Sequence, residues 1–575
     1  MMRSILLLFA FLFSVDIAYS ETFLFKDGRS DYFIVVSEEA SQSERTAASE
    51  FQSYVEQIGG VKLPLVRQPK PGGKSVYIGY HPVLGKLANV LRPADDDEAF
   101  TYRTIGGDLF IYGGKSRGTM YGVYSFLEQQ MGVRWYTSTF TKIPKMGKFV
   151  LSELNHRESP AISYRLDFFY HALRDEAWRA HNLLNTNHMP SNGKYGKYSA
   201  CWGIHTFEKL IPPSDYFARH PEYFAVYKGK RSDKTQLCLS NKEVCNELIS
   251  NLKKVISRNP DYWCYEVSQN DNRFPCECAA CTELSKRYGG HSGALLWFVN
   301  KVAAEIKKTY PDVYISTLAY QYTRQAPSSS IKPADNVVIR LCDIECCQAH
   351  PLDVCEKNKA FVRDMNSWKR ITNKIYVWDY ATGFRHYLLP FPNFDVLARN
   401  YQYFCQSNVI GILEEGAHNA PWSEFSELKQ WLVAKLLWNP RQSTDSLATL
   451  FINDYYGPAA PSVQRYYDLC RRQVTPGKHF DVSIEWNTEL YNKQFITEAE
   501  KLLKKAHAVS RDKETLRRIN RLAAQIHYLQ LRRNTPRSLT NGTARKLLDI
   551  IHSDSTIVRE MNGDINRLMY DLGYH

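Results

Sequence analysis

The chain has 575 residues, more than one hydrophobic core holds, so two to four domains are expected. With 44% hydrophobic and 23% charged residues it has the composition of an ordinary globular protein, and its formal net charge is +13. The basic pairs (Lys253-Lys254, Arg471-Arg472, Arg532-Arg533) are short and sit in helical patterns, and no nucleic-acid module is present, which argues against nucleic acid as a partner.

Residues 1–20 read as a secretory signal: Arg3, an apolar run over 5–15, then Ala18-Tyr19-Ser20 before Glu21. Export to the periplasm or the medium is expected. No later stretch is apolar for the length a membrane span needs.

Residues 21–155 predict a small α/β domain, with strands at 32–36, 76–78 and 109–112. Helices are expected over 44–58 and 118–131. Gly113 and Gly118 have P-loop spacing, but Thr119 stands where Lys is required, so a tight turn is expected. From 160 to 420 strands and helices alternate. Strands are expected at 164–169, 185–188, 236–239, 263–268, 313–318, 337–341, 375–379 and 409–414. Eight such units in this length predict an α/β chain built on a (β/α)8 TIM barrel. The long link 189–235, rich in aromatics, is expected to cover the barrel mouth. Residues 421–575 predict a helical C-terminal domain.

The 13 cysteines cluster between Cys201 and Cys405, with Cys470 beyond. Cys238, Cys264 and Cys342 lie in apolar strand patterns and read as small buried hydrophobes. Cys276, Cys278 and Cys281 could remain thiols, close a disulfide or hold a soft metal. No fourth ligand stands at a standard spacing, so no metal site is assigned. No H-E-x-x-H, G-x-S-x-G or cofactor motif occurs, and no cofactor is expected.

The expected strand ends carry polar and aromatic groups, the composition of a site at a barrel mouth. They are Asp167 with Tyr170-His171; Asn270, Asp271 and Asn272; Tyr320 and Tyr322; Arg340, Asp343 and Glu345; Trp378, Asp379 and Tyr380, followed by Arg385 and His386; and Glu414-Glu415. His205, His350 and His418 are further hydrogen-bonding candidates. Acids from distant strands interleaved with rings suit a sugar pocket and glycoside hydrolysis, which needs one protonated acid and one stabilising negative group. Neighbours on a strand face opposite ways, so Glu414 and Glu415 do not both enter the pocket unless the strand has already ended.

Several motifs resemble glycoside hydrolase family 163, exported endo-β-N-acetylglucosaminidases of gut Bacteroidetes acting on N-glycans. They are VSQNDN with C-x-C-x-x-C, TLAYQYT at 317–323, IRLCDIEC at 339–346, VWDYATGFRHYLLPFPNFDVL at 377–397, and Glu-Glu-Gly at 414–416. The resemblance covers roughly 160–460. The N-terminal segment is similar to the domain preceding the barrel in family 20 hexosaminidases and family 67 α-glucuronidases. The resemblance implies cleavage of the GlcNAc-β-1,4-GlcNAc core with retention, the substrate's 2-acetamido oxygen serving as nucleophile. It implies Glu414 as acid/base and Asp271 as the group orienting the acetamide, with Asn270 beside it. Glu345 and Asp379 are reserves and Glu415 the weaker alternative. Asn272, Tyr320, Tyr322, Arg340, Trp378, Tyr380, Arg385 and His386 are expected to contact substrate. The alternatives are an exo-acting α-glucuronidase-like hydrolase, with a cationic pocket built from Arg340 and Arg385, and a non-catalytic glycan-binding protein. Oligomeric state is open.

Overall fold

A computed structural model describes residues 21–573 except 92–97, 188, 199, 329 and 562. The expected signal at 1–20 lies outside the described residues.

The N-terminal part is a six-stranded sheet in the order Asn155–Glu158, Phe100–Ile105, Asp108–Gly113, Lys74–Ile78, Tyr32–Val35, Leu65–Val66. Two long helices, Gln42–Gly59 and Gly118–Gln129, pack together beside it. The first starts at a capping box: Ser41 accepts from the Glu44 amide while Glu44 reaches back to the Ser41 amide. A Cβ on Gly113 would lie 2.5 Å from the Gly118 carbonyl carbon, so this glycine serves the tight strand-to-helix turn expected there.

The central part is a curled, seven-stranded, all-parallel sheet. Its order is Tyr164–Phe168, Val409–Glu415, Ile375–Tyr380, Val337–Cys342, Tyr314–Ala319, Cys264–Glu266, Cys201–Trp202. The first strand in the chain thus pairs with the last, as in a barrel. The rings of Tyr164, Trp263 and Tyr376 meet inside, 4.8 to 6.4 Å apart. Six of the eight expected strands are present. The other two are not: 185–187 and 236–239 form no strand, His188 lying outside the described residues, and Cys201–Trp202 takes a place in the sheet instead. The reason is local. Asn185 spends its side chain on the Arg165 amide and the Ser163 carbonyl, and Leu237 makes a single bridge to Phe224 within the long connection. Among the described residues no ladder joins Cys201–Trp202 to Tyr164–Phe168, so a curled half-barrel, not a closed (β/α)8 barrel, is observed.

Each strand is two-faced. Leu166, Leu318, Cys342, Trp378, Tyr380 and Leu413 point into the curl and form one cluster. Ile339, Leu341, Val377 and Ile412 point outward into the layer shared with the surrounding helices. The helix Ser426–Trp438 is buried along its whole length and packs on the first strand. Trp438 also reaches into the N-terminal core, so the helical region expected from 421 begins inside the junction of all three parts. The helices Thr444–Tyr456, Ala460–Arg471, Lys493–Val509, Lys513–Arg533 and Thr543–Ser553 complete it. No helix among the described residues is long and apolar enough to cross a membrane.

Candidate active site

At the C-terminal end of the curled sheet lies a cavity of about 220 Å³. That is roughly seven waters' share of liquid volume, the scale of one pyranose ring. Its floor and walls are Leu318, Cys342, Trp378 and Tyr380 from strands, with His205, Ile344 and Phe384 from the loops above. Its polar groups are Tyr320, Asp271, Glu415 and Glu560. Among the described residues no lysine or arginine lines it.

Glu415 is the last residue of its strand, and it points inward because Leu413 does. Its Oε2 accepts a 2.8 Å hydrogen bond from the Trp378 indole N–H. Oxygens of Glu415 and Glu560 and a ring nitrogen of His418 lie within 4.8 Å of one another. Burial, the neighbouring Glu560 and, more weakly, Asp271 push the Glu415 carboxyl up to about 8, against the Trp378 N–H. Two like charges this close and this dry disfavour each other's ionisation, which favours the protonated form of Glu415. Gly416 follows at once, and a Cβ there would stand 2.4 Å from the Phe169 ring, so the strand end is held close against that ring.

Asp271 enters from the turn after the strand Cys264–Glu266. Its Oδ1 accepts a 3.1 Å bond from the Tyr320 hydroxyl. Asn270 and Asn272 hold the turn and do not line the cavity. Asn270 Oδ1 accepts from the Glu208 amide and its Nδ2 donates to the Thr235 carbonyl, while Asn272 Oδ1 accepts from Gln236 and the Phe274 amide. His205, at φ 51°, and Gln321, at φ 52°, keep left-handed backbones beside the cavity, a conformation non-glycine residues adopt at a cost of about 1–3 kcal/mol. Such strain is held where surrounding structure fixes a site.

Several expected site residues go elsewhere. Glu414 faces the helices, away from the cavity, because the strand runs on through Glu415 and alternation turns its neighbour outward. Asp379 stands opposite Glu414 in register and points outward with it. Asp167 and Asp343 extend this into a buried row of four carboxyls. Burial raises Asp167, Asp343 and Glu414 well above the ordinary carboxylate range and Asp379 to about 6. Glu345 is exposed and paired with Arg273 and Arg324. Arg340 lies inside the curl, 3.9 Å from Glu266, with its guanidinium 5.8 Å from the Trp378 ring. Arg385 is exposed on Glu485, and His386 is buried between Glu485 and the Tyr528 hydroxyl, joining the sheet to the C-terminal helices. Tyr322 stands over His291 beside the cysteine cluster. Of the expected set, the cavity collects Asp271, Glu415, Tyr320, Trp378 and Tyr380, with His205 from the further candidates. Glu560 was not foreseen. It comes from a C-terminal stretch without periodicity, placed by its amide on the Phe384 carbonyl, and nothing local in the sequence marks it.

All 13 cysteines are free thiols. The fourth group that the C-x-C-x-x-C spacing lacks is present in space: Cys238 lies 3.7 Å from Cys278 and 3.8 Å from Cys281.

The fold is similar to that of a solved glycoside hydrolase structure. A family GH115 4-O-methyl-α-glucuronidase with specificity for decorated arabinogalactans superposes with TM-score 0.58 at 13% identity, covering 93% of this chain and 78% of that one. CpGH84D matches with TM-score 0.48 at 12% identity, over 94% of this chain and 95% of that one. A GH138 enzyme targeting pectin rhamnogalacturonan II matches with TM-score 0.45 at 9% identity, over 94% and 78%. By sequence, the chain belongs to the family described as "Domain of unknown function (DUF4838)", matched over residues 135–468. No curated protein matches it.

Proposed function

We propose that this protein is an exported retaining glycoside hydrolase, an endo-β-N-acetylglucosaminidase that cleaves the GlcNAc-β-1,4-GlcNAc core of N-glycans with the help of the substrate's acetamide. The observation that carries it is the pairing, in one sugar-sized cavity walled by Trp378 and Tyr380, of Glu415, whose carboxyl is pushed up by burial and Glu560, with the hydrogen-bonded pair Asp271–Tyr320. The motif resemblance to family 163 supplies the substrate.

In this reading Glu415 replaces Glu414 as acid/base. Its proton goes to the glycosidic oxygen as the C1–O bond breaks, and the acetamide oxygen closes on C1 to give an oxazolinium ion. Asp271 accepts the acetamide N–H and balances the developing positive charge, while Tyr320 fixes the Asp271 carboxylate. Glu415, now ionised, takes a proton from water, whose oxygen attacks C1 and opens the ring with net retention. The Trp378 N–H stabilises that ionised state.

An α-glucuronidase, the activity in the GH115 protein's name, must seat a substrate carboxylate. Here that group would meet Asp271, Glu415 and Glu560 with no lysine or arginine among the described residues of the lining, since Arg340 is turned under Trp378 and Arg385 is spent on Glu485. Incubation with a complex N-glycoprotein is expected to release glycans ending in one GlcNAc and to leave one GlcNAc on the asparagine, read by mass. Release of uronic acid, or binding without turnover, sinks the proposal.

A further inference from the structure

Two clusters of soft ligands stand apart from the carboxylates of the cavity. In the first, Cys276, Cys278 and Cys281 from the loop after the strand Cys264–Glu266 meet Cys238 from the long connection, with all four sulfurs within 4.8 Å of one another. Two of the separations are 3.7 and 3.8 Å. The second joins Cys347, His350 and Cys355, from the loop after the strand Val337–Cys342, to His479 from the C-terminal part, again with ligand atoms within 4.8 Å. Here Cys347 Sγ is 3.5 Å from His350 Nδ1 and 3.3 Å from His479 Nδ1, and Cys355 Sγ is 3.7 Å from His479 Nδ1.

These spacings have a common cause. Zinc bonds thiolate at about 2.3 Å and imidazole at about 2.0–2.1 Å in a tetrahedron, which sets ligand atoms about 3.8 Å apart for sulfur pairs and about 3.6 Å for sulfur and nitrogen. A disulfide would bring two sulfurs to about 2.05 Å, and no cysteine of the chain is so paired. The second layer fits as well. The Val226 amide points at Cys276 Sγ at 3.4 Å and the Cys281 amide at Cys278 Sγ at 3.5 Å, donors that suit thiolates. His350 Nε2 lies 3.0 Å from the Thr475 carbonyl, which takes the N–H and leaves Nδ1 as the free lone pair facing the sulfurs.

We propose that the protein holds two structural zinc ions, one in the set Cys238, Cys276, Cys278 and Cys281, the other in the set Cys347, His350, Cys355 and His479. Each ion closes a long stretch of chain at the cavity mouth. The first anchors the connection whose Gln236 side chain grips the Asn270 carbonyl and Asn272 Oδ1, the residues flanking Asp271. The second fixes the loop that begins at Ile344 on the cavity wall against the segment at His479-Phe480, where the Gln348 amide bonds the Phe480 carbonyl. With four ligands each, both sites are closed, as structural zinc requires, and neither has a position open for substrate.

The test is the metal content of the full-length chain purified without chelator, read by mass spectrometry of the elements. Two zinc ions per chain are expected, with Cys238→Ser and His479→Gln each reducing the count to one. Cobalt exchanged into the wild-type chain is expected to give tetrahedral visible bands with strong thiolate charge transfer, and in His479→Gln only the four-sulfur spectrum. The wild-type count decides even if a variant fails to fold. A metal-free chain whose cysteines are paired in a non-reducing peptide map overturns the proposal; iron in either site overturns the choice of zinc; a count of one overturns whichever site the surviving variant identifies. None of these readouts depends on the glycosidase reading.

Discussion

Adjacent glutamates at the end of the strand Val409–Glu415 live in opposite surroundings. Glu415 faces a polar cavity that reaches solvent, has the Trp378 N–H as a partner, and gains its raised pKa from burial and a second acid across open space. Glu414 faces helices, between Asp167 and Asp379 in a row of acids that no solvent reaches. Among the described residues neither of its oxygens has a hydrogen-bond partner, and burial and Asp379 raise its pKa against Tyr401, which pulls it down. Burial raises the carboxyl pKa of both glutamates, yet only the inward one faces a cavity. A raised pKa marks a catalytic acid only where the group also touches a cavity.

The contrast is tested most severely by two amide substitutions. Glu415→Gln removes the exchangeable proton, and kcat is expected to fall by about 10²–10⁴-fold, while Glu414→Gln is expected to leave kcat/KM unchanged. The reverse outcome would return the acid/base role to Glu414. Asp271→Asn is next: loss of the charge beside the oxazolinium is expected to cost about 10²–10³ in kcat. The pH profile follows from the direction of the Glu415 shift. The acid must be protonated, so activity is expected to fall on the alkaline side with an apparent pKa near 8. Trp378→Phe deletes a hydrogen bond to the ionised form, worth about 1.5–3 kcal/mol, and is expected to move that limb upward by one unit or more.

The smallest effect concerns stability. The carboxyls of the outer row have folded pKa values above their unfolded ones, so between the two the unfolded chain binds fewer protons and stability falls as pH rises. Glu414→Gln takes one proton out of that linkage. Denaturation from pH 5 to 8 is expected to show a shallower decline than in the wild type, and an identical slope would mean that Glu414 is ionised in the fold.

Much of the architecture could be read from local pattern. Six parallel strands, the helices between them and the helical C-terminal region follow from runs of alternating or helical apolar spacing, which burial enforces segment by segment. Of the two expected strands that failed, 236–239 is apolar but makes only the bridge from Leu237 to Phe224, and the described part of 185–188, residues 185–187, is polar. There, side chains such as Asn185 compete with the ladder for backbone groups. That Asp271, Trp378, Tyr380 and Tyr320 share one cavity was legible because strand ends gather at one mouth.

The sequence alone determined which residue types could serve, acids and rings at strand tips and cysteines at close spacing, since those depend on neighbours within a few positions. Only the tertiary structure decided which of Glu414 and Glu415 looks inward, because a strand's face is set by the register of the whole sheet and by where the strand ends. It alone brought Glu560 to the cavity, Cys238 to the thiol triad and His479 to Cys347, Cys355 and His350. Such partners lie far apart along the chain, and their meeting is fixed by the packing of whole layers, which no local spacing encodes.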